Sequence, residues 1–374
     1  MRRTALRRSV GDVLVTVCRG GQPRLHDELV AMGPAFTEDL VAAARYHRIA
    51  PLAHVALRAH HPELAEWFAG DRTRALTHHL HATARLADLA RSLAGLRWLT
   101  FKGPVLSEFA HPVPGLRFYK DLDVLVSPRE FREACGRLLD DGWQVLLSAE
   151  SLESAELPGE LALADRNGLV LDLHWSMVVS GSVRSRFTAD ADTLLAGRSA
   201  VRLGPSALWT LSPADAVVHV ALHAALIGAT KLGHLLDADQ LARQVDDWDA
   251  VAARAQAWAA PVEVAAVLGR AQHTLGTPLP RNLASSLGVG EGMRGLLAEL
   301  DRRWPVQRLR RDASLVRLVT RALRPGLATT SALAAQRAAR GLVHRVVRSV
   351  EPARNPPTPA VLDAYFTRVE AAAS

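Results

Sequence analysis

The sequence predicts an α+β fold in which a small mixed β-sheet is embedded in mostly helical N- and C-terminal regions. Three observations predict it. Apolar residues recur at helical spacing from residue 26 to 95, and again from about 212 onward. Between about 97 and 175 the pattern changes to short apolar runs set apart by turn residues. Those runs fall in the order strand, helix, strand, helix, strand, hairpin, which suits a small mixed sheet covered by helices.

The first region, DELVAMGPAFTEDLVAAARYHRIAPLAHVALRAH, reads as helices punctuated by Pro34 and Pro51. HHLHATARLADLARSLAGL continues as a helix that ends near Gly95. RWLTF is a short apolar strand, followed by Lys102-Gly103-Pro104. A helix should begin at Pro104, because proline is favoured in the first helical turn. LDVLV (122–126) is a buried strand. Ser127-Pro128-Arg129-Glu130 has the form of a capping box, opening a helix that runs to Asp140 or Asp141 and stops at Gly142. WQVLLS (143–148) is another strand. LALAD and LVLDLHW flank Arg166-Asn167-Gly168 and read as a hairpin with an Asn-Gly turn.

Ser212-Pro213 with Asp215 opens a helix that holds His219 and His223. Further helices are expected over 233–245, 248–258, 261–275 and 291–303. The segment 306–350 should be helical and broken at Pro325-Gly326, and EPARNPPTP (351–359) should be extended before one last short helix. No internal repeat is visible. The expected organisation is a helical region over 1–95, a core over 96–210, a helical domain over 211–350 and a proline-rich tail over 351–374.

At 374 residues, 49% of them hydrophobic, the chain can bury a sizeable core. Its two cysteines, Cys18 and Cys135, form no CxxC pair, which argues against a disulfide scaffold or a cysteine zinc site. No apolar run reaches the ~20 residues of a membrane span. The start, MRRTALRRSVGDVLV, is basic, but the apolar stretch after it is too interrupted for a secretory leader. The expectation is a soluble, cytoplasmic protein. The net charge of +7 is unevenly spread: residues 301–350 hold twelve arginines against Asp301 and Asp312. Such a segment could contact nucleic acid or an acidic partner, or simply form solvated faces of amphipathic helices.

The chain has 42 arginines and only three lysines, a composition typical of a GC-rich genome. Two of those lysines, Lys102 and Lys120, lie beside a pair of aspartates. Asp121-Leu122-Asp123 opens a strand, so both carboxylates point to one face while Leu122 and Val124 point to the other. Two such carboxylates repel each other without a cation, and hard divalent ions take carboxylate oxygens together with substrate phosphates. Asp172 and His174 share a face of a second strand. If that strand lies beside the first, Asp172 completes a three-carboxylate cluster able to hold two ions.

Lys102-Gly103 joins a strand to a helix N-terminus, a place that favours an anion. Arg117 and Lys120, just ahead of the aspartates, are placed to meet phosphate as well. His174 could contact nucleotide or acceptor, or be a structural histidine beside Trp175. His219 and His223 have the i, i+4 spacing of metal ligands but no glutamate at 220, which suits core packing or pocket lining. Lys231 and Asp237 could face the cleft or form a surface pair.

The order of these motifs resembles the DNA polymerase β-like nucleotidyltransferase superfamily. More closely, it resembles a bacterial family of uncharacterised nucleotidyltransferases. Phe101-Lys102-Gly103 matches that family's Leu-Lys-Gly turn. Arg117-Phe118-Tyr119-Lys120-Asp121-Leu122-Asp123 matches its Arg-x-x-x-Asp-hydrophobic-Asp strand, and Asp172-Leu173-His174-Trp175 its carboxylate-Leu-His-Trp strand. The resemblance extends to His47-Arg48-Ile49-Ala50-Pro51 upstream. Downstream it includes Leu211-Ser212-Pro213, His223, Leu235-Leu236-Asp237 and Asp247-Trp248, roughly residues 40 to 280 in all.

The resemblance implies a polymerase β-like palm core. It implies Asp121, Asp123 and Asp172 as catalytic residues holding two Mg²⁺ ions. Lys102, Gly103, Arg117, Lys120, His174 and Lys231 would bind nucleotide. The implied reaction transfers NMP from an NTP, with ATP the first candidate, to a hydroxyl of a small-molecule, peptide or RNA acceptor, releasing pyrophosphate. Many superfamily members have serine or glycine after the turn glycine, where this chain has Pro104, which lacks an N–H. That departure supports an alternative: a non-catalytic nucleotide- or partner-binding protein that keeps the fold.

Overall fold

The protein is described by a computed structural model that covers residues 2–23, 25, 33–204, 206–310, 315–341 and 356–372. Four long helices come first: α1 (Arg2–Cys18), α2 (Pro34–Tyr46), α3 (Ala50–Arg58) and α4 (Ala69–Ser92). Proline stands in the first turn of α2 and of α3, the one place in a helix where its missing N–H costs nothing. The basic start of the chain is itself helical, and α1 buries Val10, Leu14, Val17 and Cys18. Residues 26–32 of the predicted helical stretch lie outside the described residues.

The middle of the chain forms β1 (Trp98–Phe101), α5 (Gly103–Phe109), β2 (Asp121–Val126), α6 (Phe131–Asp140), β3 (Gln144–Val145), β4 (Glu160–Ala164) and β5 (Val170–His174). The sheet order is β1-β2-β5-β4-β3. β2 and β5 run parallel, and the other neighbours are antiparallel. A parallel pair needs a crossover, here α6 together with the β3–β4 return. A separate hairpin follows, β6 (Ser199–Leu203) and β7 (Ser206–Thr210). This is the small mixed sheet within a mostly helical chain that the sequence predicts.

Two local expectations are corrected. The capping box at Ser127 does not form: α6 begins at Phe131 with Glu130 as its N-cap residue. The Glu130 carboxylate instead accepts from the Arg97 backbone N–H at 3.1 Å, so it cannot reach back to residue 127. Strand 143–148 shrinks to Gln144–Val145, because Ser148 caps a short helix over 149–153 and pulls the chain off the sheet. The β4–β5 turn is the three-residue loop Arg166-Asn167-Gly168 between the two predicted strands. Asp165 causes this. Its Oδ1 accepts from the N–H groups of Asn167 (2.8 Å) and Leu169 (2.9 Å), and Gly168 supplies the positive φ of 79° that the loop needs. The β6–β7 hairpin was not expected, its two five-residue strands being only partly buried and weakly patterned.

The C-terminal helices are α7 (Pro213–Ile227), α8 (Leu232–Ala242), α9 (Trp248–Ala257), α10 (Pro261–Leu275), α11 (Glu291–Arg303), α12 (Leu315–Ala322), α13 (Leu327–Gly341) and α14 (Pro359–Ala371). Ser212 caps α7 as its sequence predicts, its hydroxyl accepting from the Asp215 N–H. Most of α7 is apolar on every face, and it is the central helix of the larger hydrophobic cluster. That cluster joins α1–α3 to α7–α10, while a second one joins the sheet to α4, α6 and α14. Pro325-Gly326 separates α12 from α13, as expected.

Of the basic segment, residues 311–314 and 342–350 lie outside the described residues, as do 351–355 of the proline-rich stretch. Within the described part, Arg302 pairs with Glu299 and Arg310 with Asp39. Among the described residues no helix is long and apolar enough to cross a membrane.

Glu263, in the first turn of α10, is only 6% exposed. Burial pushes its carboxyl up to about 7, only partly offset by a backbone hydrogen bond and by Arg186. A carboxyl whose folded pKa is raised costs stability as pH climbs from its ordinary value toward the raised one, here on the order of 3 kcal/mol above pH 7. Glu263→Gln should therefore melt close to wild type at pH 5 and clearly higher at pH 8. Circular dichroism melts at the two pH values measure this, and an equal difference at both would contradict it.

Candidate active site

β2 places Asp121 and Asp123 two residues apart on one face, with Leu122 and Val124 fully buried on the other. In the parallel β2–β5 pair Asp172 lies directly opposite Asp123. His174 follows two residues on, and ligand atoms of Asp123, Asp172 and His174 lie within 4.8 Å of one another. Asp121 lies one step toward the strand start, outside that tight group, and lines the same cavity. The cavity measures about 360 Å³ and is closed on its far side by α7 and α8.

The Lys-Gly turn sets the opposite wall. Lys102 has φ 54° and Gly103 φ 22°, so the chain reverses sharply from β1 into α5. A Cβ on Gly103 would come within 3.3 Å of the Asp121 carbonyl oxygen, so a side chain is excluded by both space and backbone. The reversal aims Lys102 Nζ at Asp123 Oδ1, 2.9 Å away. Pro104 falls in the first turn of α5, where an N–H has no partner within the helix in any case.

The charged groups of the cavity act on one another. Burial pushes the Asp123 carboxyl up, but Lys102 and the His174 hydrogen bond at 3.3 Å outweigh it and hold it far below the usual range. Asp172 is pushed up to about 8, by burial first and then by Glu160. Asp121 is raised as well, by burial and by Asp123. Burial opposes charge on His174, yet Glu160 and Asp123 raise its pKa. Asp121, Asp123, Asp172 and Glu160 thus share the cavity with Lys102 and His174, and Arg48, Arg117 and Lys120 line it as well. Hard oxygen donors that crowd and raise one another's pKa suit a divalent cation, and Asp123, Asp172 and His174 could hold one.

Other predicted residues are placed as follows. Arg117 grips Asp237 through two hydrogen bonds of 2.8 Å, and its buried Nη1 has no hydrogen-bond partner. Lys120 is exposed at the rim and lines the cavity. Lys231 is not brought to the cavity: its ammonium lies 5.2 Å above the Tyr46 ring. Asp237 is the buried partner of Arg117 and not a surface charge.

Sequence reasoning passed over Glu160, Arg48 and His234, all of which line the cavity, and it left His223 between core packing and pocket lining. His223 does line it. Glu160 lies opposite His174 in the β4–β5 register, and its Oε2 is 3.4 Å from His174 Nε2. A signal existed in the hairpin, whose three-residue loop sets Glu160 opposite His174, but the strand predicted over 161–165 begins one residue after it.

No curated protein matches the chain. The family described as uncharacterised nucleotidyltransferase matches residues 35–276, a span that holds every residue lining the carboxylate cavity.

Proposed function

The chain belongs to the uncharacterised nucleotidyltransferase family, and from that membership we propose that it transfers a nucleoside monophosphate from an NTP to an acceptor hydroxyl, releasing pyrophosphate. ATP is the first candidate donor. The observation that carries the reading is the pairing of Asp123 with Asp172 on parallel strands, with Asp121 beside them, in a cavity edged by cationic side chains.

Asp121, Asp123 and Asp172 would hold the divalent ions, two Mg²⁺ by preference, as the surplus of oxygen donors there suits. When bound, such ions neutralise the phosphates and stabilise the attacking and leaving oxygens of an in-line displacement. The chain's own residues do the rest. Lys102, the unpartnered Nη1 of Arg117, and Lys120 at the rim supply donors for phosphate oxygens. Asp172 accepts the proton of the attacking hydroxyl, with Glu160 beside it. His174 orients Asp123 through its hydrogen bond. The helical wall of α7 and α8 shields the cavity from water.

The test is incubation with each α-labelled NTP, Mg²⁺ and a fractionated cell extract. Label should appear on one acceptor fraction with stoichiometric pyrophosphate, and none with Asp121→Asn/Asp123→Asn. Absence of pyrophosphate with every NTP and fraction would sink the proposal. The alternative, a non-catalytic nucleotide-binding protein, draws on Pro104; it expects a non-hydrolysable NTP to bind with Mn²⁺ while no NTP is consumed.

A further inference from the structure

A second cavity, of about 210 Å³, lies beside the carboxylate cavity. Its walls are the β6–β7 hairpin, α5 and α7, with half-exposed Phe109 at its edge. Lys102 and Val220 line both cavities, so these side chains form part of the partition between them. The wall is largely apolar, through residues such as Val105, Leu106, Val201 and Leu211. Among the described residues no acidic side chain lines it, and the one cation that does, Lys102, is already paired with Asp123.

One lining residue is out of keeping with that apolar wall. His219 is 3% exposed, and among the described residues neither of its ring nitrogens has a hydrogen-bond partner. It is held in place by the edge of Phe101, 5.0 Å away, and by Trp258 at 6.3 Å. Burial, and then the Lys102 charge, keep its pKa well below the ordinary value, so the ring is neutral and presents one donor and one acceptor. Buried polar groups in folded proteins are rarely left without partners, and such a group lining a cavity points to a ligand.

We propose that this cleft is the acceptor subsite of the nucleotidyl transfer, and that the acceptor is a small, uncharged, largely apolar molecule that sets one polar group against His219 and its reacting hydroxyl past Lys102 and Val220 in the carboxylate cavity. The word acceptor rests on the function proposed above; binding in the cleft does not. A volume near that of seven waters takes a molecule of one or two rings. A polycation would find no anion there, and a phosphorylated acceptor only a lysine already engaged. In the transfer, the acceptor hydroxyl oxygen forms a bond to the NTP α-phosphorus while the α–β phosphoanhydride bond breaks. The hydroxyl proton passes to Asp172, and pyrophosphate leaves with the bonding pair.

The test uses 2-naphthol as the probe, with naphthalene, 2-naphthoate and tobramycin as comparisons, followed by calorimetry and saturation-transfer NMR on the full chain. Two variants are compared with wild type. Ala200→Trp fills the cleft from an exposed position on β6, where folding is little affected. His219→Phe removes the nitrogens and keeps a ring. We expect 2-naphthol to bind wild type, to bind Ala200→Trp at least tenfold more weakly, and to bind His219→Phe about tenfold more weakly, while naphthalene is indifferent to His219→Phe. Mn²⁺ binding, followed by electron paramagnetic resonance, should be unchanged in Ala200→Trp. Failure of 2-naphthol to bind wild type at about 1 mM, equal binding to Ala200→Trp, or preference for 2-naphthoate or tobramycin would overturn the proposal. Binding of 2-naphthol as expected, with no pyrophosphate released from any NTP with any extract fraction, would instead remove the nucleotidyl reading and leave the cleft as a ligand site.

Discussion

Replacing Asp172 by Asn is expected to lower metal-dependent nucleotidyl transfer by about a thousandfold, about 4 kcal/mol of transition-state stabilisation, and at the same time to raise the melting temperature of the metal-free protein. Asparagine keeps the shape of the side chain and removes its charge. That charge stands in a buried place, close to Glu160, Asp121 and Asp123, which together with burial push the carboxyl up to about 8. Because the folded value is above the ordinary one, wild type without metal loses stability as pH rises from the usual carboxyl range to about 8. The gain from Asp172→Asn should therefore be absent near pH 4 and largest near pH 8. It should shrink or reverse with saturating Mg²⁺, which stabilises only the protein that binds it. Thermal melts in chelator and in Mg²⁺, alongside pyrophosphate release, read both halves. Activity within tenfold of wild type, or a lower melting temperature at pH 8 in chelator, would count against the site. The trade expected here, stability given up for a charged cluster, is what a functional site differs in from a structural ion pair.

Asp301→Ala should be the most damaging of the substitutions considered away from the carboxylate site, at about 3–5 kcal/mol. Arg270 on α10 is 1% exposed, and its guanidinium is satisfied by three groups from different parts of the chain. Nε donates to Asp301 Oδ1 at 2.6 Å, Nη1 to the Ala229 carbonyl at 3.2 Å, and Nη2 to Thr320 Oγ1 at 3.3 Å. Alanine at 301 leaves a buried cation with two neutral acceptors and no counter-charge. The penalty is the uncompensated charge more than the lost hydrogen bond, and a control separates the two. Asp301→Leu combined with Arg270→Met removes both charges and should cost far less than Asp301→Ala alone. Urea denaturation of the three proteins gives the comparison. A loss below about 1 kcal/mol for Asp301→Ala would mean that the arginine finds water or another partner on relaxing.

Much of the carboxylate cavity is legible in the sequence because its signals are local. The Asp-x-Asp strand needs only the period-two alternation of a β-strand, and the Lys-Gly turn needs only a glycine where a Cβ would strike the neighbouring backbone. Asp172 and His174 are two residues apart on one strand for the same reason. What the sequence left out depends on the rest of the chain. Arg117 lines the cavity, but two of its N–H groups are taken by Asp237, 120 residues further along. Lys231, expected at the nucleotide, lies over Tyr46 from a different helix. Glu160 is the first residue of β4, one ahead of the strand that the sequence predicts, and it reaches the site through its pairing with His174 on β5. The family resemblance read from the three motifs holds, since the matched span covers all of them.

By itself the sequence determined the α+β class, the order of the helices and of four of the five sheet strands at close to their observed bounds, and the face on which each aspartate lies. These follow from backbone geometry and apolar periodicity, which act over a few residues. Only the tertiary structure decided that β2 lies beside β5 with Asp123 against Asp172, that Glu160 joins the three aspartates in one cavity, and that His219 lies behind Lys102 with its nitrogens unpartnered among the described residues. Strand neighbours, registers and buried pairings are set by contacts between residues far apart in the chain. No pattern over a few residues carries that information, because its free energy appears only when the separate elements pack together.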